Sequence, residues 1–273
     1  MPELPEVETT TRGLRTAIKN LKIKAVWTDL NTKDKRKSDT VANIEYFKYF
    51  SKIVAGKKVL SVERRAKNIL INLTSDKTIL IHMKMTGHLL YGKYEFLPKT
   101  NKWMPVEKGP LQDPYNRFVH FVFIFSNGKH LAFSDTRKFG KITLLDTKNA
   151  DESKHLFGLG IEPFDENLNL KKFKERILKK PNGKIKTILM DQSLVVGIGN
   201  IYSDEILWRI GVHPERKVSN IKDLEFKAMF TAMKELLKKG INFGGDSMSD
   251  YRNVYGLPGK FQLHHEAYKR KGE

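Results

Sequence analysis

The chain has 273 residues, enough for two domains, and 40% of them are hydrophobic, enough to give each a core. Fifty Lys and Arg stand against 31 Asp and Glu, and the net charge of +19 marks a binder of polyanions, nucleic acid before anionic membrane. No apolar run reaches the roughly 20 residues of a membrane span, Glu3, Glu6 and Glu8 sit where a signal peptide would be apolar, and the absence of Cys excludes disulfides and thiolate metal sites, so a cytoplasmic, DNA-associated protein is expected.

Met1-Pro2-Glu3-Leu4-Pro5-Glu6-Val7-Glu8 opens a helix on which Val7, Leu14 and Ile18 recur at helical spacing. Residues 25–30 predict a short strand. Residues 31–39 read as a solvated loop in which Lys33, Lys35, Arg36 and Lys37 crowd together. From Val59 the pattern becomes that of strands, at 59–64, 69–73, 78–83 and 118–125, then a Ser126-Asn127-Gly128 hairpin turn into 131–134, and a last strand at 142–145. This half predicts an antiparallel sandwich or flattened barrel. The charged stretch 146–153 marks a boundary, giving domains 1–149 and 150–273. Beyond it helices are expected at 170–178, 185–191, 200–210 and 221–239, then a long Gly- and Ser-rich loop to Gly259 and a basic, short-stranded or frayed end at 264–273. The fold class is α+β.

Three stretches carry chemistry. If the initiator Met is trimmed, Pro2 supplies a secondary amine, and an α-amino group titrates near about 8 where a lysine needs about 10.4. An unprotonated amine beside Glu3 and Glu6 pairs a nucleophile with an acid. The same residues would equally serve as a helix start, since Pro favours the first turn and carboxylates suit its positive end. Lys186 to Tyr202 places a Gly197-Ile198-Gly199-Asn200 turn at the start of a helix, which suits either a phosphate or a plain helical corner. Arg64-Arg65-Ala66-Lys67 turns between two strands, and Met85-Thr86-Gly87 and Asp135-Thr136-Arg137-Lys138-Phe139-Gly140 each follow one. Met85, Arg137 and Phe139 in one groove would be the wedge set that a base-extruding enzyme requires, although a lone Met or Phe is more often core. The His residues show no metal-ligand spacing, and His264-His265-Glu266 is too compact to form a site alone.

Those motifs, spread from Pro2 to the end of the chain, resemble the formamidopyrimidine-DNA glycosylases of the helix–two-turn–helix superfamily that also holds endonuclease VIII. The resemblance implies a bifunctional glycosylase/AP lyase acting on oxidised purines in duplex DNA as a monomer. Leu4, where endonuclease VIII typically has Gly, favours purine over pyrimidine lesions. The alternatives are an enzyme for oxidised pyrimidines and a non-catalytic binder of damaged DNA. By resemblance Pro2 is the Schiff-base nucleophile, Glu3 the general acid on the sugar, Glu6 its support, and Lys67 a phosphate contact that assists β-elimination. Met85, Arg137 and Phe139 fill the void in the duplex, Lys186 and Asn200 hold phosphates within the motif that ends at Tyr202, and Glu205 matches an acidic residue near the flipped base. Residues 245–260 match a flexible lesion-capping loop. The family's Lys-His-Asp-His pattern reads Arg117-Phe118-Val119-His120, which replaces the first histidine and keeps His120 as a DNA contact. Tyr268 to Glu273 matches the segment before the family's four-Cys zinc finger, which has no counterpart here, so no cofactor is expected.

Overall fold

The computed structural model describes residues 1–268 and 270, so the expectation of a frayed basic end lies partly outside the described residues, at Lys269 and 271–273. The first half is a sandwich of two four-stranded antiparallel sheets. One sheet has the order β1-β8-β9-β5, built from Ile23–Thr28 (β1), Val119–Phe125 (β8), His130–Ser134 (β9) and His88–Gly92 (β5). The other has the order β10-β4-β3-β2, built from Lys141–Asp146 (β10), Lys77–His82 (β4), Asn68–Leu73 (β3) and Val59–Arg65 (β2). Their inner faces share one core: Ile69, Ile71, Ile79 and Ile81 meet Phe121, Phe123, Leu131 and Phe133, and helix α1 (Leu4–Ile18) adds Val7, Leu14 and Ile18.

Besides β5, which the sequence reading did not give, two further features depart from it. A helix α2 (Ile44–Val54), capped by the Asn43 side chain on the Tyr46 amide, lays Phe50 and Val54 against the sandwich. A separate hairpin, β6 (Tyr94–Leu97) with β7 (Lys102–Pro105), covers the outer face of the first sheet, where Tyr94 and Trp103 cluster with Leu90, Val119, Val122 and Ala132.

The second half is helical: α3 (Leu170–Leu178), α4 (Ile185–Leu189), α5 (Asn200–Arg209) and α6 (Asp223–Asn242). Its core is built from Phe173, Ile177, Ile185, Ile206, Phe226, Met233 and Leu237. Residues 190–199 make two tight turns between α4 and α5, the helix–two-turn–helix corner. Both cores reach across the division. Leu4 of α1 belongs to the helical core, while Val254, from the loop after α6, is buried in the sandwich and accepts a 2.6 Å hydrogen bond from the Tyr91 amide. That anchorage corrects the picture of residues 245–260 as one flexible loop. Burial of Tyr251 and Val254 and the bond from Arg252 to Asp113 at 3.1 Å fix its middle, while Met248, Ser249, Tyr255, Leu257, Pro258 and Lys260 are exposed. No described helix is long and apolar enough to cross a membrane.

Candidate active site

The two halves meet at the start of α1. The Leu4 amide donates to the Gly197 carbonyl (3.0 Å), which seats the helix on the two-turn corner. Glu3, 1% exposed, aims its carboxylate at the first turn of α5 and accepts from the amides of Gly199 (2.5 Å), Ile201 (2.8 Å) and Tyr202 (3.4 Å). The N–H groups at the start of a helix are its unpaired donors, and the helix dipole favours an anion there. The anion in this structure is thus the protein's own carboxylate. Gly197 takes φ +93°, which favours glycine, and a Cβ on Gly199 would lie 2.5 Å from Glu3 Cδ and 2.8 Å from Lys67 Nζ. Geometry therefore requires both glycines of the Gly-Ile-Gly-Asn turn.

Glu6 lies behind Glu3. Its Oε2 accepts from the Glu3 amide (2.7 Å), and its Oε1 accepts from the Asp246 amide (2.7 Å) and the Tyr202 hydroxyl (3.2 Å). Burial raises the Glu3 carboxyl, opposed by Lys67 and by the amides it binds. Burial and then the charge of Glu3 push Glu6 up to about 7, against the amides of Asp246 and Glu3. A proton shared across such a pair at neutral pH is what acid–base work on a sugar requires.

Lys67 stands at the tip of the two-residue turn between β2 and β3, where Ala66 takes φ +54°. Its Nζ donates to the Ile198 carbonyl (2.8 Å), and burial lowers the amine while Glu3 and Glu6 raise it. The turn is held from the other half: Glu162 accepts from the Ala66 amide (2.7 Å) and from the guanidiniums of Arg64 (2.7 Å) and Arg65 (3.1 Å). Pro2 lines a cavity of about 160 Å³ with Met1, Glu6, Met85, Ile201, Asp246, Met248, Ser249 and Tyr251. Met1 is 39% exposed at its mouth, so removing it would open Pro2 to whatever enters.

Met85, 40% exposed, faces the same cavity as Pro2. Arg137 and Phe139 sit on the neighbouring loop, the guanidinium stacked 4.6 Å from the ring. Asp135 ties the two loops together. It accepts from the Thr86 hydroxyl, from the Arg137 amide (3.2 Å) and from the Gly140 amide (2.7 Å). Lys186 pairs with Asp204 (2.7 Å), and Asn200 donates to the Tyr268 hydroxyl (2.8 Å), both on the outer side of the corner.

Two expected DNA contacts are corrected. Tyr202 is fully buried, stacked on Phe261 and bonded to Glu6, so it supports the site from below. Glu205, also fully buried, spends its carboxylate on the amides of Glu266 (2.7 Å), Ala267 (3.1 Å) and Tyr268 (3.3 Å) and thus anchors the end of the chain rather than facing a base. His120, the remaining expected DNA contact, is half-buried with its Nδ1 paired with Asp29 (2.9 Å). The sequence reading missed Gln192, Asp135 and Glu162. Gln192 accepts from the Gly197 amide (2.8 Å) and donates to the Ile198 carbonyl (2.9 Å), bracing the turn. Asp135 and Gln192 lay inside stretches already singled out; nothing marked Glu162.

An antiparallel sandwich and a helix–two-turn–helix corner that meet on a proline-led helix define the class of DNA-lesion enzymes with an N-terminal amine. Residues 1–142 match the formamidopyrimidine-DNA glycosylase N-terminal domain, and residues 159–252 match the helix–two-turn–helix domain of the same enzymes. The formamidopyrimidine-DNA glycosylase of Pelotomaculum thermopropionicum is 35% identical over 273 residues, all of this chain and 90% of the relative, and that of Bacillus subtilis is 35% identical over 277 residues, again 100% and 90%. The Lactococcus lactis enzyme bound to DNA with an abasic site superposes with TM-score 0.81 at 29% identity, covering 99% of this chain and 89% of that one. Its complex with DNA carrying an N7-benzyl-Fapy-dG lesion gives 0.80 at 29%, covering 100% and 90%. The chain belongs to the formamidopyrimidine-DNA glycosylase family. A four-cysteine zinc site cannot be built from its residues, since it has no Cys, and among the described residues no group of three or more His, Asp or Glu could hold a metal ion.

Proposed function

We propose that this protein excises oxidised purines, 8-oxoguanine and ring-opened formamidopyrimidines, from duplex DNA inside the cell and then cuts the strand, without a cofactor. The observation that carries the reading is the position of Pro2. It lines the cavity at the junction of the two halves, next to the buried Glu3, Glu6 and Lys67 cluster. The basic surface binds the duplex, and Met85, Arg137 and Phe139 occupy the space that the extruded nucleotide leaves.

With Met1 removed, the unprotonated Pro2 nitrogen attacks C1′ of the damaged nucleotide. The N–C1′ bond forms as the bond to the base breaks, and the base leaves with the proton that the Pro2 nitrogen gives up. Glu3 protonates the ring oxygen, the sugar opens, and the nitrogen lone pair completes an iminium. The iminium acidifies C2′–H. Loss of that proton expels the 3′ phosphate, and a second elimination expels the 5′ phosphate. Lys67, whose amine burial makes easier to deprotonate, is the base for the C2′ step.

The test is borohydride reduction on lesion-bearing duplex. Protein with a free Pro2 gives a covalent protein–DNA adduct by denaturing gel, and protein with retained Met1 gives none. A free-Pro2 preparation that forms no adduct would refute the reading.

A further inference from the structure

Asp246 and His265 form a buried pair that the chemistry above does not use. Asp246 is 6% exposed and His265 5%, and His265 Nε2 lies 2.6 Å from Asp246 Oδ2. Neither atom has a well-aligned hydrogen bond among the described residues, so the contact is a short, buried approach of ring to carboxylate. The other Asp246 oxygen accepts from the Met248 amide (3.1 Å). The two residues reach the contact from opposite sides. Asp246 follows α6, and its amide holds Glu6 Oε1 (2.7 Å). His265 ends a single 3-10 turn, Phe261–His264, between the rings of Phe261 (5.3 Å) and Tyr268 (5.3 Å). The residues after it are pinned by Glu205. His265 is thus tied to the far side of the pair, while Asp246 leads into Met248 and Ser249, which line the Pro2 cavity with it and are exposed.

The charges around the pair are mostly negative: Glu3 and Glu6 from α1, with the hydroxyls of Tyr202 from α5 and Tyr251 from the loop; Lys67 is the cation on the far side of Glu3. A buried carboxylate among these groups is costly to keep in place without a partner. His265 is the side chain in contact with it.

We propose that His265 is a positioning residue: by holding the Asp246 carboxylate it sets the loop wall that closes over an extruded base. The proposal rests on the glycosylase reading. It separates two activities of one site. Excision of a damaged purine needs the wall. Elimination at a ready-made abasic site presents no base for the wall to enclose.

Three proteins test it, each with free Pro2: wild type, His265→Leu, and His265→Leu with Asp246→Asn. Single-turnover rates are measured on 8-oxoguanine duplex and on abasic duplex. The single variant is expected to lose about tenfold in excision and less than about twofold in abasic elimination, the scale of coupling between residues in contact. Changing Asp246 as well is expected to recover most of the loss, because no buried carboxylate is then left without its partner. Equal losses on the two substrates, or a double variant as slow as the single one, would overturn the proposal. Wild type inactive on both substrates would instead overturn the glycosylase reading.

Discussion

Glu6 shows how one side chain can tie chemistry to stability. Three donors converge on its carboxylate, from the Glu3 amide, the Asp246 amide and the Tyr202 hydroxyl, yet burial and the charge of Glu3 still push it up to about 7. A carboxyl raised in the folded state favours its protonated form there. Its contribution is complete below the ordinary value near 4.5 and is lost as pH rises through about 7. Folding stability should therefore decline across that window by up to roughly 3 kcal/mol from this group. Glu6→Gln, which cannot ionise, should flatten the decline in urea denaturation measured from pH 4.5 to 7.5. It should also be less stable than wild type at pH 4.5, because the amide nitrogen cannot accept from the Glu3 N–H. A decline unchanged by the substitution would place the ionisation elsewhere.

The turn elements show a residue that acts by organising others. Asp135 is 1% exposed and joins the Met85 loop to the Arg137–Phe139 loop through the Thr86 hydroxyl and two amides. Asp135→Ala would orphan those donors and let the loops separate. Extruding a base costs a few kcal/mol of unstacking, and loops that no longer fill the gap return part of that cost, so excision from duplex should fall about tenfold or more. Borohydride trapping on single-stranded abasic DNA, which needs no wedge, should stay within about twofold of wild type. The same scale shows what could be read in advance. Strands β2 to β4 and β8 to β10 were legible because apolar runs bounded by turns mark a sandwich. β5 was not. Leu89 and Tyr91 face the inner core while Leu90 meets the covering hairpin, so no polar side alternates with them. α2 was masked by its aromatics, which suit a strand as well as a helix. At the site, Pro2, Glu3, Glu6 and Lys67 could be proposed because a short motif carries them. The true roles of Tyr202 and Glu205 depend on contacts more than 60 residues away in sequence, with Glu6 and the Glu266 amide, and no local pattern encodes those.

For the molecule as a whole, the question is what keeps two cores in register around a site assembled from both. Glu162 carries much of that load, binding Arg64, Arg65 and the Ala66 amide from the sandwich side, while Arg65 also donates to the carbonyls of Leu159 (3.0 Å) and Gly160 (2.7 Å). Arg64 continues the chain of charges to Glu8 on α1 (2.9 Å), so the clamp sits directly behind the turn that presents Lys67. With 21% of the Glu162 side chain exposed, solvent screens part of the interaction. Glu162→Ala should cost about 2 kcal/mol, less than the loss of a fully buried partner. The cost should fall on the junction rather than on either core. Calorimetry of the wild-type protein should show one cooperative transition, because α1 and the Val254 segment each belong to both halves. The variant should show a broadened or split transition, as expected when coupled domains begin to melt separately. Its abasic-site elimination should fall with it, since the Lys67 turn loses its far support while Pro2 and Glu3 keep theirs. A sharp single transition at the wild-type temperature would mean that the shared helix and the inserted loop hold the halves together without the clamp.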